Sequence, residues 1–405
     1  MVVMVLFTVA FLIAGCVTAA FGLYLLVLSV ACFFYSQAGE QIPTRSRLAV
    51  LIPAHDEAGL IAQCVGSLRA QTYPKQLYEI VVVADNCTDA TAAIARAAGA
   101  GVMVRHEPDA RGKGRALRWA MERILATDLR PAAIVVVDAD AVTDEDFLVR
   151  LAQPFDAGAA AVQGDYLLVG DGSPRTALRA AAFLLVNRVR PAGRAALGLS
   201  APLVGNGMLL ATDLLLARPW GAFTSTEDLE YALDLQAAGV QIAYAGEAHL
   251  RSSTAPNADA AAVQQLRWEG GRTYLLRTRL PRLLLDSLRT LSPAPAMVAF
   301  DLAVPPLGLL AAGAIAGSLV AAGLTIDGVW SPWALLPWLV AGAATALHVL
   351  IGLRAGHAPK SAYRALLRAP LFILAKPLRV GRVLRFRPDT WIRTERAGDG
   401  TEKQP

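Results

Sequence analysis

The segment "AAIVVVDADAV" (residues 132–142) ends an apolar run with two carboxylates. Its β-branched residues 134–137 predict a short strand that is buried on both faces. Asp138 and Asp140 follow, with Ala139 between them, and buried negative charge is costly unless a cation or hydrogen-bond donors meet it. Two such oxygen ligands suit Mg²⁺ or Mn²⁺, which keep further positions for phosphate oxygens. The alternative is an Asx-turn, in which the aspartate caps the loop.

Two further strand exits carry polar residues. Asp85 ends "YEIVVVAD", where its carboxylate could accept hydrogen bonds from a nucleobase. Alternatively, Asp85 or Asn86 forms a turn and Thr88 caps the next helix. "IPAHDEAGLI" holds an acidic cluster that is either a pocket rim or a helix cap. "RGKGRAL" (111–117) is basic and flanked by glycines, which suits an approach to phosphate, but it lacks Walker A spacing.

"STEDLEYAL" (225–233) has two interpretations. Ser225 with Asp228 three residues later fits the capping-box pattern, which is purely structural. A carboxylate at a helix start near a ligand-binding edge could instead act as a general base.

"QQLRWEGGR" places Gln264, Arg267 and Trp268 on one helical face. Arg and Trp there could hold a diphosphate and stack on a sugar, or anchor the chain beside a membrane. His249, near a predicted strand exit, is either a structural histidine or a weaker candidate for metal ligation.

The elements that must position these residues alternate between about 46 and 260. Apolar runs at 48–54, 78–85, 101–106 and 132–140 are separated by segments of helical length. This order predicts βαβ units and a mostly parallel sheet, in which ligands bind beyond the carboxyl ends of the strands.

Three long charge-free runs surround this region. The first extends from Met1 to Gly39, and the others cover Leu302–Ile326 and Gly328–Leu353. Each is long enough to span a bilayer. A cleavable signal peptide would have a basic start and a shorter apolar core, and buried core helices of this length normally carry a polar stripe. We therefore expect three transmembrane helices.

The net charge of +5 and the pI of about 9.1 come from basic residues that follow the first run, precede the second and follow the third. The positive-inside rule then places the central segment and the tail in the cytoplasm and the N-terminus outside. A membrane, rather than nucleic acid, is the expected partner of this basic charge. The four cysteines have no metal or redox spacing.

Taken together, these motifs resemble the membrane-bound family 2 glycosyltransferases, and most of all their exopolysaccharide-synthesis subgroup. The resemblance lies in "LIPAHDEAGLI", "LYEIVVVADNCTDAT", "ARAAGAGVMVRHEP", "RGKGRALRWA", "VVVDADA" and "STEDLEYAL", in that order, and in "QQLRW", which fits a Q-x-x-R-W signature. It covers roughly residues 46–275. "DTWIRTER" near the C-terminus looks like the membrane-proximal tail of such enzymes.

The resemblance implies an α/β fold of the GT-A type, with a nucleotide-sugar-binding domain and flanking transmembrane helices. It implies Asp228 as the catalytic base and Asp138 and Asp140 as ligands of Mg²⁺ or Mn²⁺. His249 stays the weaker metal candidate that its position alone suggests. The residues implied in donor binding are Pro53, Ala54, Glu57, Asp85, Lys113, Asp138, Ala139 and Asp140. Those implied on the acceptor and diphosphate side are Asn206, Gly207, Glu227, Gln264, Arg267 and Trp268.

The expected organisation is an N-terminal transmembrane helix (1–40), a cytoplasmic GT-A domain with interfacial helices (46–290), two transmembrane helices (295–355), and an amphipathic segment with a tail (356–405). The expected protein is an inner-membrane, inverting glycosyltransferase. It would move sugar from a nucleotide-sugar donor to a lipid-linked or growing polysaccharide, alongside other polysaccharide-assembly proteins.

The sequence departs from the family pattern in two places. It has one carboxylate, Asp85, where a pair is common, and Asn206 where many members have a smaller hydroxyl residue. Its expected membrane part, with three spans, is smaller than that of processive synthases with built-in channels. The alternatives are single addition to a polyprenyl or glycolipid carrier, a sugar nucleotidyltransferase, and a non-catalytic membrane scaffold.

Overall fold

The structure is a computed structural model that describes residues 2–37, 46–128, 130–255 and 257–386. These residues form two compact units. The helical unit comprises Met1–Tyr35, Gly172–Leu197 and Ala303–Arg382, and the α/β unit comprises Ser36–Asp171, Gly198–Leu302 and Val383–Pro405, each without the undescribed residues.

Eight strands of the α/β unit form one mixed sheet in the order β3-β2-β1-β4-β7-β6-β8-β5. Their bounds are β1 Leu48–Ala54, β2 Tyr78–Asp85, β3 Gly101–Arg105, β4 Ala133–Val136, β5 Ala141–Thr143, β6 Ala161–Val169, β7 Met208–Ala211 and β8 Ile242–Ser253.

The helices alternate with these strands and then continue through the second half of the chain. They are α1 Val2–Ala31, α2 Ile61–Arg69, α3 Thr91–Ala97, α4 Lys113–Leu125, α5 Phe147–Asp156, α6 Pro174–Leu184, α7 Arg190–Ala196, α8 Thr212–Ala217, α9 Glu227–Ala237, α10 Ala258–Thr290, α11 Pro293–Ala303, α12 Leu307–Ile326, α13 Leu336–Ala355, α14 Lys360–Ala365, α15 Ala369–Ala375 and α16 Val380–Leu384. Short 3₁₀ helices cover Cys32–Phe34, Lys75–Leu77, Pro108–Ala110, Pro332–Leu335, Leu366–Arg368 and Pro377–Arg379, and a π-helix covers Leu185–Val189.

The predicted α/β class is confirmed, and the sheet is parallel where the sequence motifs lie. β1 pairs in parallel with β2 and β4, and β2 with β3. β7 runs antiparallel to both β4 and β6, while β8 pairs in parallel with β6 and antiparallel with β5. Because β1, β2 and β4 are parallel neighbours, the loops that follow them meet at one edge of the sheet.

The centre of the sheet is apolar on both faces. Residues 48–52 of β1 are fully buried, as expected for a continuous apolar run in a parallel strand covered by helices. α4 contributes to this cover through Leu117, Ala120, Met121 and Ile124, which recur at helical spacing on its buried side.

In the helical unit, α1, α12 and α13 are long and apolar enough to cross a membrane, as predicted. α1 and α13 approach closely: a Cβ on Gly22 would lie 3.1 Å from the carbonyl oxygen of Ala341. Nearby, Ser29 Oγ lies 2.7 Å from Nδ1 of His348. Small residues at such crossings let two helix backbones pack together.

One segment falls in a different unit from the one expected. The sequence places 172–197 inside the α/β domain of 46–290, whereas the structure groups it with the long apolar helices. Its sequence, rich in alanine and arginine, forms α6, a π-helical turn and α7. A Cβ on Gly193 would overlap the backbone of Leu28, so α7 packs directly on α1.

The expected amphipathic segment is helical as far as Leu384. Leu367, Leu371, Leu374 and Leu378 recur at helical spacing and are each at least 71% exposed. We call these four residues the leucine row. "DTWIRTER" and the tail from 387 onward lie outside the described residues.

Leu51→Ala should destabilise the α/β unit by about 2–5 kcal/mol, because it removes a fully buried side chain from the central strand. In detergent, the thermal midpoint of this unit should fall by roughly 5–15 °C. Val104→Ala, on the edge strand β3 and 56% exposed, is the matched control and should shift the midpoint by less than about 2 °C. Equal shifts for the two variants would contradict the placement of β1 in the core.

Candidate functional site

The carboxyl-terminal edge of the parallel strands gathers most of the predicted site residues. Pro53 and Ala54 end β1, Asp85 ends β2, and Asp138, Ala139 and Asp140 lie in the loop that follows β4. The backbone N–H of Glu57, just after β1, donates to Thr91 Oγ1 at 2.8 Å and so ties the first loop to α3.

Lys113, the first residue of α4, is the central cation of this edge. Its Nζ lies 2.5 Å from Asp138 Oδ1 and 3.7 Å from Glu227 Oε1, and donates to the carbonyl oxygen of Gly205 at 2.6 Å. Burial lowers the pKa of Lys113, but the Asp138 and Glu227 carboxylates outweigh it and hold the pKa above its usual range. Asp138 is therefore matched by a cation and is not simply a turn residue.

The loop around Asn206 shapes the floor of the site. Asn206 is fully buried, and its Oδ1 accepts a hydrogen bond from the backbone N–H of Asp138 at 3.0 Å. The flanking Gly205 and Gly207 have φ of +78° and +71°, a region that side chains with a Cβ rarely adopt. The "GNG" sequence thus allows a tight turn that presents the Asn206 amide to the aspartate loop.

Asp140 has a different environment from Asp138. Its Oδ1 accepts a hydrogen bond from Ser252 Oγ of β8 at 3.2 Å. Asp138 uses Oδ1 for Lys113, and no hydrogen bond to its Oδ2 is found within the described ranges. Two carboxylates two residues apart, one of them with an oxygen still available, form a donor set that fits a divalent cation.

Glu227 and Asp228 lie in the first turn of α9, on the other side of Lys113. Burial and the neighbouring Glu227 carboxylate, opposed by Lys113, raise the pKa of Asp228 to about 7. A carboxyl group with such a pKa is half-ionised near neutral pH, as general-base catalysis requires.

The capping interpretation of "STEDLEYAL" is wrong. Thr226 occupies the N-cap position without a side-chain hydrogen bond, and the Ser225 hydroxyl is buried without a hydrogen-bond partner within the described ranges. The loop is held instead by Glu230, whose Oε2 accepts the backbone N–H groups of Phe223 and Thr224, each at 3.1 Å.

Gln264, Arg267 and Trp268 are half-buried on α10, as the helical spacing predicts. α10 passes directly against the start of α9: a Cβ on Gly271 would lie 2.6 Å from Thr226 Oγ1 and 2.8 Å from Ser225 Oγ. Because Gly271 has no side chain, α10 lies against the Ser225 and Thr226 side chains that precede Asp228, about one turn beyond the Q-x-x-R-W segment.

His249 lies inside β8 and not at a strand exit, because β8 continues to Ser253. Its Nδ1 is 2.8 Å from Oδ2 of the fully buried Asp165, whose Oδ1 accepts from Tyr244 Oη at 2.9 Å. In the described part of the chain, His249 does not form a three-ligand group with Asp138 and Asp140 whose ligand atoms all lie within 4.8 Å of one another.

The described group that does meet this distance is Asp56, Cys87 and Asp89. Its carboxylates already accept hydrogen bonds from backbone N–H groups, at 2.6 Å for Asp56 with Thr88 and 3.0 Å for Asp89 with Ala58. This group links the loops after β1 and β2.

Sequence reasoning missed three residues that support the site. Arg105 forms a buried ion pair with Asp85, Ser252 donates to Asp140, and the Gly205 carbonyl accepts from Lys113. The position of Arg105 at the end of an apolar strand was a signal for it, since a charge there needs a partner. No signal in the sequence identified the other two.

A family model, two curated proteins and a solved structure are similar to this chain. The family model described as "Glycosyltransferase like family 2" matches residues 45–271. Low-salt glycan biosynthesis hexosyltransferase Agl6 of Haloferax volcanii is 39% identical over 113 residues, 28% of this chain and 25% of Agl6. Glycosyltransferase AglE of the same organism is 43% identical over 49 residues, 12% of this chain and 16% of AglE. The chain therefore covers a quarter or less of these curated relatives.

Among solved structures, the mannosyltransferase PcManGT from Pyrobaculum calidifontis, in complex with GDP-Man and Mn²⁺, is similar at a TM-score of 0.49 and 18% identity, covering 84% of this chain and 99% of that chain. The family model matches more than half of this chain and includes the loops that carry Asp85, Asp138, Asp140 and Asp228. The protein belongs to glycosyltransferase family 2.

Proposed function

We propose that this protein is a membrane-bound, inverting glycosyltransferase that moves a sugar from a nucleotide-sugar donor to a lipid-linked or growing polysaccharide acceptor. The observation that carries the proposal is the meeting of Asp138, Glu227 and Asp228 around the Lys113 ammonium at the ligand-binding edge of the sheet. Family membership supports the donor class.

Asp228 is the proposed base. It takes the proton of an acceptor hydroxyl, whose oxygen attacks the anomeric carbon on the face opposite the departing nucleotide. One bond forms as the bond to the diphosphate breaks, so a single displacement inverts the anomeric centre. Lys113, and Arg267 on α10, supply positive charge on the diphosphate side.

A divalent cation, Mg²⁺ or Mn²⁺, fits Asp138 and Asp140 and would supply further charge neutralisation of the diphosphate when bound. Asp138 can contact the Lys113 ammonium and a divalent cation together, because Lys113 pairs with Oδ1 and leaves Oδ2 for the metal. The proposal keeps two further sets of residues in the roles that the sequence predicts. Those for donor binding are Pro53, Ala54, Glu57, Asp85 and Ala139, and those for the acceptor and diphosphate side are Asn206, Gly207, Glu227, Gln264 and Trp268.

The long apolar helices and the leucine row support an acceptor held at a bilayer surface. Arg364 and Arg368 lie beside this row in sequence, a combination that suits an anionic membrane interface. We extend the proposal to an inner-membrane enzyme of exopolysaccharide or cell-surface glycan synthesis, with its α/β unit cytoplasmic and its N-terminus outside.

Transfer of a single sugar to a polyprenyl or glycolipid carrier is the second candidate, favoured by the small membrane part.

A donor screen on purified protein in detergent tests both candidates, with added lipid extract as the source of acceptor. Release of nucleoside diphosphate supports glycosyl transfer, whereas release of pyrophosphate would indicate a nucleotidyltransferase. One sugar per acceptor, seen by mass spectrometry, would select the second candidate.

Asp228→Asn should lower the transfer rate by about 10²–10⁴-fold, because the amide cannot take the acceptor proton. Binding of the donor, measured by calorimetry, should change by less than about threefold. The matched control is Asp234→Asn on the same helix, an acid paired with Arg279, which should keep the wild-type rate. Transfer at the wild-type rate in Asp228→Asn would remove this residue from the base role.

The transfer rate should fall as the pH drops through about 7, because only the ionised form of Asp228 accepts a proton. We expect a rate at pH 6 that is roughly a tenth of that at pH 8. Lys113→Met removes a cation that lowers the Asp228 pKa, so its profile should move to higher pH. A wild-type profile that is flat between pH 6 and 8 would argue against this assignment.

Removal of divalent cations with a chelator should abolish transfer, and Mn²⁺ or Mg²⁺ should restore it. Asp140→Asn should raise the concentration of cation needed for half-maximal rate by about tenfold or more. Asp144→Asn, at a half-buried acid nearby that pairs with Arg251, is the control and should respond as the wild type does. Full activity in chelator would exclude the cation from the proposal.

A further inference from the structure

Asp140 is held by a hydroxyl of β8, the strand that also carries His249. Ser252 donates from its Oγ to Asp140 Oδ1 at 3.2 Å, and only 3% of the Ser252 surface is exposed. Strand pairing brings the two side chains together, because Ala141, the residue after Asp140, is the register partner of Ser252 in the antiparallel pair of β5 and β8. The ladder between two strands thus sets the position of this donor.

A second buried hydroxyl contacts the first. Tyr166 of β6 is 7% exposed, and its hydroxyl makes a hydrogen-bonding contact with the Ser252 side chain. β6 and β8 are parallel neighbours with Leu168 opposite Ser252, so Tyr166 lies two residues back on the same face of the sheet. A hydroxyl carries one hydrogen, and an ionised carboxylate only accepts. Ser252 therefore donates to Asp140 and accepts from Tyr166, which fixes the direction of both bonds.

Asp138, the other aspartate of the loop, is held through its backbone. Its N–H donates to Asn206 Oδ1 at 3.0 Å, and the Asn206 carbonyl oxygen accepts from Gln163 Nε2 of β6 at 2.8 Å. Asn206 and Gln163 are both buried, with 0% and 1% of their surfaces exposed. The loop that carries the two aspartates is therefore anchored at both ends by buried polar side chains.

The two anchors act on different parts of the aspartates. Asn206 fixes the backbone at Asp138, whereas Ser252 bonds the Asp140 carboxylate itself. The last torsion of an aspartate side chain has broad, roughly twofold preferences, so a carboxylate turns unless a donor holds it. A divalent cation needs its carboxylate oxygens aimed at one point. The Ser252 hydroxyl thus determines which way the plane of the Asp140 carboxylate faces.

We propose that Ser252, supported by Tyr166, is a positioning residue for the divalent cation: its hydroxyl holds the Asp140 carboxylate in the orientation in which Asp138 and Asp140 bind one metal ion. This inference rests on the proposed function and adds to its cation site two residues that act through Asp140. Partners that orient a ligating group typically contribute about 10–100-fold to metal affinity. A carboxylate that is already held does not have to be ordered when the cation binds.

A purely structural role of Ser252 predicts a different result. A hydroxyl that only satisfies a buried carboxylate contributes to the stability of the fold, and its loss leaves the metal affinity of the folded protein unchanged. Metal affinity measured on folded protein therefore separates the two roles.

The experiment measures Mn²⁺ binding to the full-length protein in detergent, by the loss of the electron paramagnetic resonance signal of free Mn²⁺. The probe is Mn²⁺ alone, without nucleotide or acceptor. Ser252→Ala removes the donor, Ser252→Thr keeps it, Tyr166→Phe removes the hydroxyl that contacts it, and Asp140→Asn changes the proposed ligand. Ser253→Ala is the matched control, because Ser253 is the next residue of the same strand and is exposed. Gel filtration and thermal melting check folding.

We expect Ser252→Ala to raise the Kd for Mn²⁺ by about tenfold or more, and Asp140→Asn to raise it by at least as much. Tyr166→Phe should raise it by about threefold or more, because Ser252 then loses the partner that directs its hydrogen. Ser252→Thr and Ser253→Ala should stay within about threefold of the wild type. At saturating Mn²⁺, Ser252→Ala should transfer sugar at about the wild-type rate, because the base Asp228 is unchanged.

An unchanged Mn²⁺ affinity in Ser252→Ala, with a clear loss in Asp140→Asn, would overturn the inference and leave the proposed function intact. An equal loss in Ser253→Ala would overturn it as well, since the effect would not depend on the hydroxyl at Asp140. If Ser252→Ala does not fold, Tyr166→Phe decides in the same way. Failure of the proposed cation site looks different: the wild type and Asp140→Asn would bind Mn²⁺ equally, transfer would continue in chelator, and the inference would fail with it.

Discussion

The site depends on the Lys113 ammonium, which stands among carboxylates from separate parts of the chain. Asp138 follows β4, while Glu227 and Asp228 begin α9. Like charges at these distances repel, and in a partly buried setting that repulsion would push the loops apart. One cation, also tied to the Gly205 carbonyl, makes their approach stable and fixes the end of α4 at the sheet edge.

Asp138 and Asp228 both lie near the Lys113 ammonium, but their surroundings differ. Asp138 receives a direct ion pair at 2.5 Å, whereas Asp228 is buried beside another carboxylate and has its pKa raised to about 7. Differences of this kind allow neighbouring acids to take different parts in one reaction. Burial and neighbouring charges thus give two residues of the same type different surroundings.

Local patterns in the sequence were sufficient for β1 and β2, whose bounds agree with the predicted runs 48–54 and 78–85. Continuous β-branched and apolar residues leave few alternatives there. The partnership of Asp85 with Arg105 could not be predicted, because it depends on the register between β2 and β3. Likewise, the position of His249 depends on how far β8 continues, and the hydroxyls of "STEDLEYAL" fit a capping pattern that the packing of α10 overrides.

Helix α10 has 33 residues, a rod of about 50 Å. Near its first third, Gly271 touches the loop that precedes Asp228, and further along Leu283 packs in a cluster with Leu302. Pro281 lies inside the helix between these two places and cannot donate a backbone hydrogen bond there. Because Leu233 of α9 belongs to the same cluster, α9 and α10 share an apolar contact, and this contact helps to fix the helix that begins with Asp228.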